Sequence, residues 1–286
     1  MTTNIIDAIL HLVHNPIVKL VEYYAGNNRA NNSGQALEEY VQDLFADSFS
    51  MTKNQRIQRH SDVFSYKGNK SNPPDAMLRN SDAIEVKKIE QASADLALNS
   101  SYPKHKLYAN SSMLTTACRT AEEWEEKDII YTVGVVRNNT LLQLCMVYGL
   151  DYCASEECYT RVKKRIKDGI AAIPNITFSE TRELGRINGI DPLNITYLRV
   201  RGMWGIQNPW RVFDYVYQPD ANKTFNFMCI INDEKWEEFD NTNLLIKEAH
   251  NNPSLKIENI KIQNPNNPAQ IRNARLITFT YDEESI

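Results

Sequence analysis

Residues 128–150, DIIYTVGVVRNNTLLQLCMVYGL, hold two apolar runs separated by the polar turn RNNT. Runs this rich in β-branched residues read as strands, and Asn138 and Asn139 between them read as a hairpin turn. Around the hairpin the period changes. SGQALEEYVQDLFADSF sets Ala36, Leu37, Tyr40, Val41, Leu44 and Phe45 on one helical face, with Ser33 as its cap. The N-terminal MTTNIIDAILHLVHNPIVKLVEYY reads as amphipathic helix, with Asn15 and Pro16 opening a second segment. VFSYKG, DAMLR and DAIEVKKI alternate like short strands, with a turn at Asn80 and Ser81. A helix is predicted near 112–127, and another over SEECYTRVKKRIKDGI, where Cys158, Val162, Ile166 and Ile170 form an apolar stripe. NITYLRVRG reads as a strand, VFDYVYQ and FNFMCII as a β pair, 233–249 as a helix and RLITFTY as a closing strand. Strands and helices interleave without repeat or low-complexity linker. The expected architecture is a single α/β domain over 1–286, a mixed central β-sheet flanked by helices.

Composition narrows the function. Hydrophobic content of 42% and charged content of 24% are those of a folded globular chain. No apolar run approaches the roughly 20 residues of a membrane span. The N-terminus lacks the basic start and small-residue cleavage site of a signal peptide, so a cytoplasmic protein without membrane contact is expected. Cys118, Cys145, Cys153, Cys158 and Cys229 are odd in number and form no C-x-x-C pair. They read as reduced, buried thiols rather than a zinc site. A net charge of -4 argues against a general polyanion binder. Residues 51–110 depart from that average, with ten Lys and Arg against six Asp and Glu. Such a basic zone suits a DNA-binding cleft, and a solvated mixed-charge surface fits the charge equally well.

Within that zone lies NPPDAMLRNSDAIEVKKIE, residues 72–90. Glu85 and Lys87 are two apart on a strand and share a face, with Ile84, Val86 and Ile89 packing largely behind them. A hairpin would fold Asp75 back beside Glu85. Two adjacent carboxylates repel unless a cation sits between them. Hard oxygen ligands suit Mg²⁺, which keeps several waters and bridges to phosphate. Lys87 beside the cation would orient or deprotonate an attacking water and balance phosphate charge. Glu38, on the preceding helix, offers a third acid. The plainer account is a surface hairpin with ordinary charges and an exposed Glu38.

Gly34-x-x-Leu37-Glu38, then Pro74 and Asp75, then Glu85-Val86-Lys87, resembles the PD-(D/E)XK nuclease core. The longer stretches NNRANNSGQALEEYVQDLF, NPPDAMLRNSDAIEVKKIE, ALNSSYPKHKL, DPLNITYLRVRGMWGIQNPW and QNPNNPA resemble the NgoPII family of type II restriction endonucleases. The likeness runs over almost the whole chain. It implies a restriction-endonuclease-like fold and a Mg²⁺-dependent homodimer, with Mn²⁺ as a substitute, that cuts double-stranded DNA at a short palindrome, GGCC. It further implies in-line attack of water on phosphorus, 5′-phosphate and 3′-hydroxyl ends, and a companion DNA methyltransferase that protects the host genome. Carried over, Asp75 and Glu85 are the metal ligands, Lys87 the catalytic lysine and Glu38 an accessory acid. The catalytic core would occupy about 33–150, with recognition and dimerisation elements in 185–286.

Candidates for holding DNA are more diffuse. Arg199 and Arg201 share one face of TYLRVRGMWG, the arrangement expected for guanine readout, although phosphate contact or a surface ion pair fits as well. Asn27, Asn28 and Arg29 lie in a polar loop. Lys104 and His105 follow the catalytic strand, and Lys88 faces away from Lys87. The basic residues 161–167 form another phosphate candidate or a solvated face. Trp204 and Trp210 read as packing residues. Rival functions are a repair or junction-resolving nuclease on the same core and a non-catalytic DNA-binding protein. A metabolic enzyme is disfavoured, because no Gly-rich phosphate loop or G-x-S-x-G is present.

Overall fold

The computed structural model describes residues 2–26, 32–69, 72–181 and 184–282. Helices α1 (Ile5–His14), α2 (Leu20–Gly26), α3 (Ser33–Ala46) and α4 (Lys53–Val63) open the chain. Strands β1 (Phe64–Asn69), β2 (Asn72–Leu78) and β3 (Ala83–Ile89) form an antiparallel meander. Short β4 (Leu96–Asn99), β5 (Lys106–Tyr108) and α5 (Thr116–Arg119) lead into the hairpin of β6 (Glu126–Arg137) and β7 (Thr140–Tyr148). Next come α6 (Gly149–Tyr152), α7 (Glu156–Ala171), β8 (Thr177–Ser179), β9 (Gly185–Asn188), β10 (Leu198–Val200), β11 (Trp204–Ile206) and α8 (Pro209–Val212). The chain closes with β12 (Phe225–Asn232), α9 (Asp233–Glu237), α10 (Thr242–Asn251), β13 (Leu255–Asn264) and β14 (Asn267–Tyr281).

A nine-stranded sheet organises these elements in the order β1-β2-β3-β6-β7-β12-β14-β13, with β5 beside β6. The β3–β6 and β7–β12 pairs are parallel and the others antiparallel, so the sheet is mixed as expected. A three-stranded sheet, β10-β9-β8, stands apart from it, and β11 pairs with β4.

The central strands are buried on both faces, which explains their nearly continuous apolar runs. On one face α1, α2, α3 and α10 set Leu12, Leu37, Leu44 and Leu245 against Ile84, Val86, Ile130 and Met146. On the other, Leu107, Trp210 and Phe213 pack over Met77, Tyr131, Val133 and Cys145. Strand alternation puts Ile89 in this second cluster, on the side of Lys87 rather than behind it. Gly134 lets α3 lie close to β6, since a Cβ there would come 2.7 Å from Leu37 Cδ2. That contact fixes the helix that bears Glu38.

Several expected elements differ. The helix near 112–127 shrinks to α5, because Glu126, Lys127 and Asp128 are taken into β6 by pairing with β5. VFDYVYQ is not a strand: Pro209 opens α8, and Trp210 and Phe213 plug the core. The helix over 233–249 breaks into α9 and α10, and NITYLRVRG contributes only β10. Asn15 closes α1 instead of opening the next helix, which begins at Leu20. Asn32, rather than Ser33, caps α3 by accepting from Gln35 N–H at 3.0 Å. In the α7 stripe Val162 and Ile166 are exposed and Ile170 is half-buried, with no buried residue on that helix. Cys158 on it is exposed too, whereas the other four thiols are buried. No described helix is long and apolar enough to cross a membrane.

Candidate active site

The β2–β3 register, Ala76 opposite Ile84, sets Asp75 across from Glu85 one step further on. The Val86 N–H donates to Asp75 Oδ2 at 2.6 Å and holds this carboxylate over β3. Lys87 Nζ donates to Glu85 Oε1 and reaches the Val86 carbonyl at 3.4 Å. The hairpin thus brings Asp75, Glu85 and Lys87 together. The charge of Glu38, at the edge of α3, is felt by both Asp75 and Lys87.

The electrostatics of this cluster are strained. Burial pushes the Asp75 carboxyl up to about 7, and the Glu85 charge adds to the rise against the opposing Lys87. Burial pulls the Lys87 ammonium down, but Glu85, Asp75 and Glu38 outweigh it and raise its pKa above the usual lysine value. Lys87 is therefore charged and ion-paired with Glu85.

A divalent cation fits this arrangement. Glu85 Oε2 is buried without a hydrogen-bond partner, a costly condition for a carboxylate oxygen that a cation would relieve. Among the described residues, no group of three or more His, Cys, Asp or Glu side chains is set to hold a metal ion. Asp75 and Glu85, facing each other across β2 and β3, are the carboxylates that would hold it. A site with two carboxylates, leaving room for water and phosphate, matches the habits of Mg²⁺.

Gly68 and Tyr131 complete the surroundings, and sequence reading missed both. A Cβ on Gly68 would stand 2.2 Å from the Pro74 carbonyl oxygen and 3.2 Å from Asp75 Cα, so only glycine lets β1 press against the strand carrying Asp75. Tyr131 pairs with Glu85 across β3 and β6, and its hydroxyl accepts from the Lys104 N–H at 2.8 Å. Neither has a local signature: Gly68 resembles any turn glycine, and Tyr131 lies inside an apolar strand.

The proposed DNA contacts scatter more widely. Lys104 is joined to the site through Tyr131, and its ammonium lies 3.4 Å from the centre of the Tyr102 ring. Burial lowers its pKa to about 8. Tyr102, Tyr159 and Trp204 form one aromatic cluster beside it, so Trp204 packs as expected, as does the buried Trp210. His105 bonds the Tyr108 hydroxyl at 3.2 Å. Lys88 turns away from Lys87 to Ser33 Oγ at 3.3 Å and Glu90 at 3.0 Å. Arg199 belongs to the separate small sheet, directly opposite Arg186, an exposed arginine that the sequence did not single out, and Arg201 lies just past the end of β10. Asn27, Asn28 and Arg29 lie outside the described residues.

Comparison with known proteins gives the family. The sequence profile of the NgoPII restriction endonuclease family matches residues 3–263. The Type II restriction enzyme NgoPII of Neisseria gonorrhoeae is 62% identical over 277 residues, covering 96% of this chain and 99% of that protein. No solved structure matches. With its acids and lysine gathered on one hairpin and this likeness along nearly its whole length, the chain belongs to the NgoPII restriction endonuclease family, a family of type II restriction enzymes, which are site-specific deoxyribonucleases.

Proposed function

We propose that the protein hydrolyses double-stranded DNA at the palindrome GGCC in a Mg²⁺-dependent reaction, leaving 5′-phosphate and 3′-hydroxyl ends. The observation that carries this reading is Asp75 set across from Glu85 on the β2–β3 hairpin, with Glu85 Oε2 buried and without a hydrogen-bond partner. Asp75 and Glu85 hold the cation. When bound, it offsets the carboxylate charge and stabilises the negative charge that builds on the phosphate in the transition state. Lys87 enters as an ammonium, donating to the attacking water and to a phosphate oxygen. Glu38 keeps that ammonium charged and orients the water shell of the site.

Residues 33–150 supply the catalytic core, and 185–286 supply recognition and dimerisation. Lys88, Lys104, His105, Arg199, Arg201 and the loop Asn27, Asn28 and Arg29 engage the duplex, Arg199 and Arg201 at guanines. The working form is a homodimer with one active site per strand, since a two-fold protein matches a two-fold DNA site. It acts in the cytoplasm beside a methyltransferase that protects host GGCC sites, and Mn²⁺ substitutes for Mg²⁺.

Digestion of methylation-free plasmid with and without Mg²⁺, followed by sequencing of the ends, tests this. Discrete fragments ending within GGCC, in the presence of the cation alone, are expected. Intact duplex under every metal condition, or fragments ending elsewhere, would refute the reading.

A further inference from the structure

The β10-β9-β8 sheet has two unlike faces. Cross-strand partners share a face, so Phe178, Ile187 and Leu198 form one row across it. Ser179, Arg186 and Arg199 form the next row, on the opposite face. The first row is the inner one: Ile187 is buried, and the Phe178 ring fills the space over Gly185 and leaves no room for a Cβ. Ser179, Arg186 and Arg199 are all exposed. Glu180, the acid that follows Ser179, alternates away from them and pairs with Lys167 of α7 at 3.0 Å. The described strand residues on the outer face therefore include no carboxylate.

Arg186 lies on the central strand β9, directly opposite Arg199 on the edge strand β10. Like charges set directly opposite each other in a sheet are destabilising, and an anion between them offsets the repulsion. The Arg186 guanidinium carbon lies 3.8 Å from the centre of the Tyr197 ring, and among the described residues no ion pair holds it elsewhere. A guanidinium stacked in this way keeps its N–H edge for a ligand. It can only donate, and the Ser179 hydroxyl next to it donates as well. Donors of this kind, in a chain of net charge -4 that belongs to a deoxyribonuclease family, fit the phosphates of DNA.

Place in the sheet separates phosphate from base. The major groove is about 12 Å wide and admits a helix or a two-stranded ribbon. Three strands about 4.8 Å apart, with side chains on both rims, are too broad to enter it. An edge strand can still dip into the groove, which suits Arg199. The central strand stays level with the backbone, which suits Arg186.

We propose that Arg186 grips a DNA phosphate, with the outer face of the β8–β10 sheet resting on the backbone and Tyr197 positioning the guanidinium. This rests on the duplex-binding role proposed above for Arg199 and deepens it, by naming what holds the duplex while Arg199 reads it.

Fluorescence anisotropy of the whole protein reads the contact, on a labelled GGCC duplex and on a duplex lacking GGCC, without metal so that nothing is cut. Each phosphate contact adds about 0.9 to the slope of log affinity against log salt. Arg186→Gln should lower that slope by about 1 on both duplexes and weaken both alike, about eightfold at roughly 0.1 M salt. Arg186→Lys keeps the charge and should restore the slope. Lys247→Gln, at an exposed lysine on α10, should leave it at the wild-type value. An unchanged slope in Arg186→Gln would overturn the assignment, and so would a slope that Arg186→Lys fails to restore. A loss confined to the GGCC duplex would also overturn it, since that marks a base contact. A lowered slope in a protein that cuts no DNA would sustain the contact and remove the proposed function. Cutting at GGCC with an unchanged slope would remove the contact alone.

Discussion

Asp75 and Glu85 stand across from each other on β2 and β3, with the Val86 N–H donating to Asp75 Oδ2 at 2.6 Å. Holding two carboxylates this close in a partly buried place disfavours their joint ionisation. Asp75 bears the strain, pushed up to about 7 by burial and by Glu85. Cation binding must remove its proton. Mg²⁺ affinity should therefore strengthen by about tenfold per pH unit below 7 and level off above it. Calorimetric titration at pH 6, 7 and 8 measures this, and pH-independent affinity would contradict it.

Lys87 is held charged by Glu85, Asp75 and Glu38. Lys87→Ala should cut the cleavage rate by about 100- to 10,000-fold, the range for losing a positioned proton donor. Specific DNA binding should change little. Single-turnover cleavage beside a gel-shift titration separates the two effects.

Gly68 occupies the point where β1 meets the strand of Asp75, with room for no Cβ. Gly68→Ala must move the Pro74 carbonyl, at a stability cost on the order of 1–3 kcal/mol. The displaced Asp75 should weaken Mg²⁺ binding more than DNA binding. Equal losses in both, tracking the melting temperature alone, would show that the residue serves only the fold.

A second buried polar cluster ties α3 to α4 and β1. Asp43 accepts from Arg56 Nε at 2.8 Å and from Ser48 Oγ, and His60 lies 2.9 Å from Ser48 and 3.1 Å from Lys67 Nζ. Lys67 can only donate, so His60 Nδ1 accepts and its proton sits on Nε2. Ser48 is then no activated nucleophile, and the cluster reads as a latch on the helix bearing Glu38. Burial lowers the His60 pKa below its usual 6.5, with Arg56 and Lys67 adding to the effect against Asp43. A depressed folded-state pKa means that stability present above about 6.5 is lost as pH falls. Asp75, raised to about 7, favours the fold as pH falls and does so alike in the wild type and in His60→Gln. Between pH 7.5 and 5.5 the wild type should therefore lose melting temperature relative to His60→Gln, as scanning calorimetry would show.

The hairpin site was legible because its chemistry is local. Asp75, Glu85 and Lys87 lie within thirteen residues, and strand alternation fixes their common face. The β6–β7 pair was equally plain, since burial on both faces leaves a continuous apolar signal. What escaped depends on distant partners. Gly68 matters only because β1 returns against Pro74, and Arg186 only because β9 pairs with β10. VFDYVYQ reads as a strand until Pro209 and the pocket that takes Trp210 and Phe213 impose a helical turn. The α7 stripe has the period of a core-facing helix, yet that helix buries no residue, since period alone does not say whether a face is covered.

The most direct test of the central claim is the paired measurement of binding and cutting by Asp75→Asn. Asparagine keeps the side-chain oxygen that accepts from Val86 but removes the charge that would hold the cation. On an unmethylated GGCC duplex with Mg²⁺, the variant should bind as the wild type does and cut at least about 1,000-fold more slowly. Cleavage within a few-fold of wild type would place the reaction elsewhere in the molecule.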